Sequence, residues 1–349
     1  MTLGVPDSLD EVLSPEWMTA ALSQKFPGIE VTNVIRGELI QRVATNQRFT
    51  IECAGGVPDG LSPHLCLKGY WGEYGESYRH VSATETFFYR DIADLTGMRT
   101  LRSVATVFDV EKRHGVVITE DVVEQGAVFL DSLSPYSVDQ VAESLGQLAK
   151  LHAATWGSPE YENAAWLAPH LDHYLMRRGV PDILVNFDGP IGAGVPEEVR
   201  DAQALVDAFG SLAQVTATDS PWCLMHGDCH VGNVFLDADG RPSFTDWQMI
   251  QRGPWYLDVG YHIGSTLDPE DRRANEDDLL RSYLDVLSAS GVSAPSFESA
   301  RDLIRRGYLE GFFLWAITLK VDPPITTRLL YRLGTAVADH DAFASVPSL

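Results

Sequence analysis

Apolar and polar positions divide the chain into two unlike parts. Ser14-Pro15-Glu16-Trp17 reads as a helix start, with Ser14 as cap and Pro15 in the first turn, and Pro27-Gly28 should stop that helix after about Lys25. From Val31 to Ile51 the pattern turns β-like, with short runs at Val31–Ile35 and Arg48–Ile51 around a polar loop. A Gly/Pro-rich stretch over 54–63 marks a turn before a third strand, Leu65-Cys66-Leu67-Lys68. Phe87, Phe88, Ile92 and Leu95 are spaced as one face of a helix over 82–95. Two further strands follow at Thr106–Val110 and Gly115–Thr119.

Beyond Glu120-Asp121 helical periodicity takes over. Ser137 should cap a helix that buries Val138, Val141, Leu145, Leu148 and Leu151. Asp268-Pro269-Glu270 opens another, ending near Gly291, and Ser296 caps a last long helix through Leu319. One β-rich stretch, Trp222 to Trp247, interrupts the helices. The expected architecture is α+β and bilobal: a small β-rich lobe over 1–120 and a larger, mainly helical lobe over 121–349.

Composition narrows the function classes. The chain has 349 residues, enough to bury a sizeable core without disulfide or metal staples. Lys+Arg is 26 against Asp+Glu 49, a formal charge of −23 that repels nucleic-acid backbones and anionic lipid. Cys53, Cys66, Cys223 and Cys229 form no CxxC pair, and free thiols are expected. The start, MTLGVPDSLDEVL, has no basic segment followed by an apolar one, and no apolar run approaches the ~18 residues needed to span a bilayer. A cytoplasmic setting with no membrane or nucleic-acid partner is the expectation.

The chemistry concentrates in one segment. Leu224-Met225-His226-Gly227-Asp228-Cys229-His230-Val231-Gly232-Asn233 is followed by a strand, a short turn and Ser243-Phe244-Thr245-Asp246-Trp247-Gln248. A hairpin would bring Asp246 back beside Asp228 and Asn233. Phosphoryl transfer needs a carboxylate to orient the attacking hydroxyl and hard oxygen ligands for Mg²⁺, and these three residues can supply that set. A metallohydrolase is the alternative: His226, Asp228 and His230 alternate on one strand face, with Asp246 and His262 to complete a site. So is a kinase-like fold that binds without turnover.

The segment His-Gly-Asp-x-His-x-x-Asn followed by Asp-Trp-Gln resembles the aminoglycoside phosphotransferase and choline-kinase-like superfamily. Arg252-Gly253-Pro254 to Asp258-Val259-Gly260 resembles most its ecdysteroid-kinase-like branch and related bacterial phosphotransferases. The resemblance spans about residues 30 to 335 and implies a protein-kinase-like fold that uses ATP and Mg²⁺ to phosphorylate a hydroxyl of a small molecule. It implies Asp228 as catalytic base, and Asn233 and Asp246 as metal ligands. Lys68, one of only five lysines, would grip the α/β-phosphates, and Glu85, in Glu-Thr-Phe-Phe-Tyr, would hold that lysine. Glu120 would lie in the hinge, Ile118-Thr119-Glu120-Asp121, whose backbone groups meet the adenine. Asp258 would brace the catalytic loop or cap a helix, and His230 would stand near the γ-phosphate as scaffold or as charge stabiliser.

Two regions are less regular. The loop expected over the phosphates, Gly37 to Asn46, holds a single glycine and no GxGxxG, with only Thr45-Asn46 resembling the family's Ser-Asn. The late helix carries Tyr308, Phe312, Phe313 and Trp315 with one acid, Glu310, and Trp255 and Tyr256 follow the metal loop. These aromatics are either core or the wall of an apolar acceptor cleft, which would favour a hydroxylated, largely apolar acceptor over a polycation.

Overall fold

The computed structural model describes residues 3–72 and 75–347. A short helix, α1 (Leu9–Val12), precedes α2 (Pro15–Leu22), whose cap is the expected one: Ser14 Oγ accepts from the Trp17 N–H, and Pro15 stands in the first turn. An antiparallel sheet of five strands follows in the order β1-β2-β3-β5-β4, built from β1 (Val31–Gln41), β2 (Thr45–Cys53), β3 (His64–Gly69), β4 (Ser103–Asp109) and β5 (His114–Glu120). Phe49, Ile51, Leu65, Leu67, Val107, Val116 and Ile118 point to one side and form a core with Trp17, Met18 and Leu22. Alternation puts Arg48, Cys66 and Lys68 on the other side.

Elements of both lobes differ from the sequence pattern. The first two strands are one long hairpin, paired from Val31↔Cys53 to Gln41↔Thr45, and the expected polar loop over 36–47 does not exist. β1 is the sheet's edge, exposed along most of its length, so neither of its faces needs an apolar repeat. The helix expected over 82–95 begins earlier, as α3 (Gly75–Phe87), in a polar stretch without periodicity. It then widens into a π-helical turn over Phe88–Ile92 before α4 (Ala93–Thr96). That turn advances the register, so Leu95 lies 65% exposed while Thr96 is buried.

After β6 (Val128–Phe129), α5 (Val138–Thr155) starts with a reciprocal cap between Ser137 and Gln140 and buries Val141, Leu145, Leu148 and Leu151. Helices α6 (Leu171–Arg177), α7 (Val180–Phe187) and α8 (Ala202–Thr216) precede the β-rich stretch: β7 (Cys223–Met225), β8 (Val234–Leu236), β9 (Pro242–Phe244) and β10 (Gln251–Gly253). Then come α9 (Tyr256–Thr266) and α10 (Pro269–Ala289), the latter ending just before Gly291 as expected. The single helix expected from Ser296 to Leu319 is two, α11 (Phe297–Leu303) and α12 (Arg305–Ala316). At the break α12 presses on α9: a Cβ on Gly260 would meet the Ile304 carbonyl oxygen at 2.1 Å, and one on Gly307 the Leu257 oxygen at 2.5 Å. A further helix, α13 (Pro323–Asp339), was not anticipated, although Pro323 and Pro324 in its first turn signal a start. All four cysteines are free, as expected. No helix among the described residues is long and apolar enough to cross a membrane.

Candidate active site

β7 runs into the loop His226–Asn233, and the β8–β9 hairpin, with Val234 opposite Phe244, returns the chain to its start. The Thr245 N–H donates to the Asn233 carbonyl at 2.9 Å, which sets Asp246 beside the loop. Asp246 is left-handed at φ 65°, a conformation that costs most side chains energy but that Asp tolerates. Asp228, Asn233 and Asp246 are thus brought together as the hairpin reading required.

Both oxygens of the Asp228 carboxylate are engaged. Asn233 Nδ2 donates to Oδ2 at 3.0 Å and to the Asp228 carbonyl at 2.8 Å, and the Tyr261 hydroxyl donates to Oδ1 at 3.0 Å. With its NH₂ turned to Asp228, Asn233 keeps its carbonyl oxygen for another partner. Asp246 offers a second hard oxygen, since Lys68 takes only its Oδ1. That donor set fits Mg²⁺, which prefers a few protein oxygens beside phosphate.

Lys68 lies near the end of β3, on the sheet face opposite the core. Its Nζ lies 2.8 Å from Glu85 Oε2 and 2.8 Å from Asp246 Oδ1. Burial opposes the ammonium's charge, but Asp246 and then Glu85 hold the Lys68 pKa well above the ordinary lysine value. Burial also opposes the Asp246 charge, and Lys68 outweighs it and keeps that carboxyl below its usual range. Glu85 is more deeply buried, and burial pushes it up despite Lys68. The Trp247 N–H donates to Glu85 Oε1 at 3.4 Å, while the Trp247 ring stacks on Phe88 at 3.8 Å. Those contacts bind the π-turn to the Asp-Trp-Gln segment.

Asp258, in the first turn of α9, accepts from the backbone N–H groups of His226 at 2.6 Å and Gly227 at 2.9 Å. His152 Nε2 donates to the same carboxylate at 3.2 Å. Burial raises the Asp258 pKa, but the hydrogen bonds from His152 and the Gly227 N–H hold it below the ordinary value. Asp258 therefore braces the loop and caps no helix.

The histidines do not converge on a metal. His226 Nε2 donates to the Thr245 carbonyl at 3.0 Å, and its Nδ1 accepts from the Asp228 N–H at 3.2 Å. His262 pairs with the Cys229 carbonyl through Nδ1 and with Ser144 through Nε2, and burial pushes its pKa down to about 4. Among the described residues no three His, Cys, Asp or Glu side chains form a metal-holding group. The metallohydrolase alternative falls with that geometry. His230 Nδ1 accepts from the Gly232 N–H at 3.0 Å, so the neutral ring carries its proton on Nε2, 3.7 Å from Asp228 Oδ2. It is part scaffold, and its Nε2–H faces Asp228.

Other expected residues sit differently. Glu120 ends β5, where the hinge was expected, and its carboxylate pairs with Arg102 at 2.5 Å and Gln125 at 3.3 Å, which leaves the expected backbone role untouched. Gly37 serves a close strand approach, where a Cβ would stand 3.1 Å from the Arg48 carbonyl oxygen. Most of the late aromatics are core: Phe312 stacks on Phe187, Phe313 on Phe209 and Trp255 on Tyr283. Tyr308 and Tyr256 spend their hydroxyls on Glu276 and Asp219. Trp315 alone of these aromatics meets the loop among the described residues, donating from Nε1 to the Tyr261 hydroxyl at 2.8 Å with His230 edge-on at 5.1 Å. The apolar cleft wall is thereby reduced to one tryptophan.

Sequence reasoning missed Tyr261, His152 and Arg48. Arg48 Nε bonds Asp121 at 2.6 Å, and its other nitrogens reach Glu124 and Glu38, tying the β1–β2 hairpin to the segment after β5. Only tertiary packing selects these residues, and no local motif marks them.

Fold and site together define a kinase-like phosphotransferase. The family model described as "Phosphotransferase enzyme family" matches residues 101–295, more than half of the chain, and the chain belongs to that family. Among solved structures, a choline kinase from Cryptosporidium parvum Iowa II is similar at 12% identity and TM-score 0.55, covering 94% of this chain and 98% of that one. At that identity the likeness speaks for the fold. The GDP complex of wild-type aminoglycoside 2′-phosphotransferase-IIIa (12% identity, TM-score 0.48) covers 93% of this chain and 99% of that one. Macrolide 2′-phosphotransferase MphH from Brachybacterium faecium (14%, TM-score 0.46) covers 88% and 93%. No curated protein sequence matches the chain.

Proposed function

We propose that the protein is a small-molecule kinase that transfers the γ-phosphoryl group of ATP to a hydroxyl of a small organic acceptor. The observation that carries this reading is the Asp228 carboxylate, pinned on both oxygens on a loop whose Asn233 carbonyl holds the segment bearing Asp246 of the Lys68–Glu85–Asp246 ion cluster. Lys68, held by Glu85, serves as the cationic partner of the α/β-phosphates. Asn233 and Asp246 are the residues to hold Mg²⁺. When bound, that ion neutralises charge on the phosphates.

Asp228 orients the acceptor hydroxyl in line with the γ-phosphorus. As the new O–P bond forms and the bond to the ADP oxygen breaks, the hydroxyl proton passes to Asp228 and later to solvent. The transition state is loose, so positioning contributes more than basicity. His230 Nε2–H adds a neutral donor beside the transferring group. The acidic surface, at −23, suits a small acceptor and not a polyanion.

The test is ATP consumption against a mixed library of hydroxyl compounds, with product mass reporting the phosphate adduct. Asp228→Asn is expected to cut kcat by at least ~10²-fold, the low end for losing a positioned base, while nucleotide affinity changes little. Turnover within a few-fold of wild type would remove Asp228 from this role.

A further inference from the structure

We propose that Tyr261 is a positioning residue for phosphoryl transfer: its hydroxyl, held by Trp315, locks the Asp228 carboxylate in its working orientation. This rests on the role given to Asp228 above.

The direction of each hydrogen bond is determined. An indole N–H can only donate, so the 2.8 Å contact from Trp315 Nε1 occupies a lone pair of the Tyr261 oxygen. The single hydroxyl proton is then left for Asp228 Oδ1 at 3.0 Å. Asn233 holds the opposite oxygen. The terminal torsion of an aspartate is otherwise broad, and rotation here breaks a bond at each oxygen.

Packing keeps the tyrosine from yielding. Tyr261 is 1% exposed, and its ring lies in a slot on α12 where a Cβ on Gly311 would come within 2.5 Å of Cδ2. Gly311 and Trp315 are four residues apart and so share one helical face, one admitting the ring and the other fixing its hydroxyl. Asp258 and Tyr261, three apart on α9, divide the catalytic loop between them. Asp258 takes the His226 and Gly227 backbone, and Tyr261 takes the Asp228 side chain. Among the described residues the Tyr261 hydroxyl bonds to Asp228 and Trp315 and not to Lys68, Glu85 or Asp246, so its effect should fall on kcat and spare nucleotide binding.

The experiment is steady-state turnover of ATP in the presence of Mg²⁺, with water as acceptor and with any alcohol found by the screen. Tyr261→Phe removes one oxygen and keeps the ring. It is expected to lower kcat about 10- to 100-fold with the KM for ATP within about twofold, the size of loss that small misplacements of a reacting group produce. Trp315→Phe, which leaves the hydroxyl in place but unaimed, should lose less, and it carries the test if Tyr261→Phe does not fold. In an Asp228→Asn background, Tyr261→Phe should cost under about twofold, because residues that act as a unit are not additive. Full additivity, or wild-type kcat in Tyr261→Phe, would overturn the proposal while leaving the kinase reading intact. A wild-type protein that consumes no ATP with water or any library compound would overturn that reading, and this inference with it.

Discussion

Lys68 and Asp246, 178 positions apart in the chain, meet at 2.8 Å with both side chains ionised. The pair joins the end of β3 to the loop after β9, and Glu85 anchors it from α3 at 2.8 Å. Removing the lysine leaves two carboxylates facing the proposed phosphate site with no cation between them. Lys68→Ala is therefore expected to lower ATP turnover by at least ~10²-fold, the range seen when one donor to developing phosphate or oxyanion charge is removed. The fold should persist, since burial already favours protonation of Glu85 and so relieves the repulsion. Circular dichroism and ATP-consumption rates on the same preparation check both halves. A variant that unfolds would make the ion pair structural.

The loop's second anchor gives a prediction about stability. Asp258 accepts two backbone N–H groups and the His152 ring. In Asp258→Asn the amide can present only one accepting oxygen, and its NH₂ faces a backbone donor. A buried donor left unsatisfied costs about 1–3 kcal/mol, and more where the lost partner was charged. Urea denaturation at pH 7 should show a loss of about 3 kcal/mol. The Asp258 pKa is depressed by folding, so its contribution is present above the unfolded-state value and is lost as pH falls through the folded one. The gap between wild type and variant should therefore narrow in acid. A gap that persists unchanged at pH 2–3 would locate the loss elsewhere.

What was legible in the sequence was local. Asp228, Asn233 and Asp246 lie on one loop and one hairpin, so spacing alone brought them together. Lys68 and Glu85 were marked by the family resemblance, on a third strand and a following helix that the pattern predicts. The edge strand β1 hid its length because solvent on both sides imposes no apolar repeat, and the π-turn at Phe88–Ile92 broke the periodicity that placed Leu95 inside. Tyr261, Trp315 and Asp228 are separated by 33 and 54 positions, and only the glycine-lined contact of α9 with α12 makes them neighbours. Most of the other aromatics are core because they stack on α7, α8 and α10.

Glu310 supplies a prediction whose sign is unambiguous. It lies on α12 at 2% exposure, with no hydrogen bond to its carboxylate among the described residues. Burial first, then the charges of Asp258 and Asp228, push its pKa well above the ordinary glutamate value. An acid whose pKa is raised by folding stabilises the protein fully below its unfolded pKa and loses that contribution as pH rises toward the folded one. Gln carries no titrating proton and mimics the neutral acid in shape. Glu310→Gln should thus match wild type near pH 4 and become progressively more stable relative to it above that. The gap should grow by up to about 1.4 kcal/mol per pH unit until the folded pKa is passed. Urea midpoints for both proteins across pH 4 to 8 measure the difference directly. A constant difference over that range would mean that Glu310 keeps an ordinary pKa beside Asp228, and a difference that shrinks with pH would mean that it is ionised and paired.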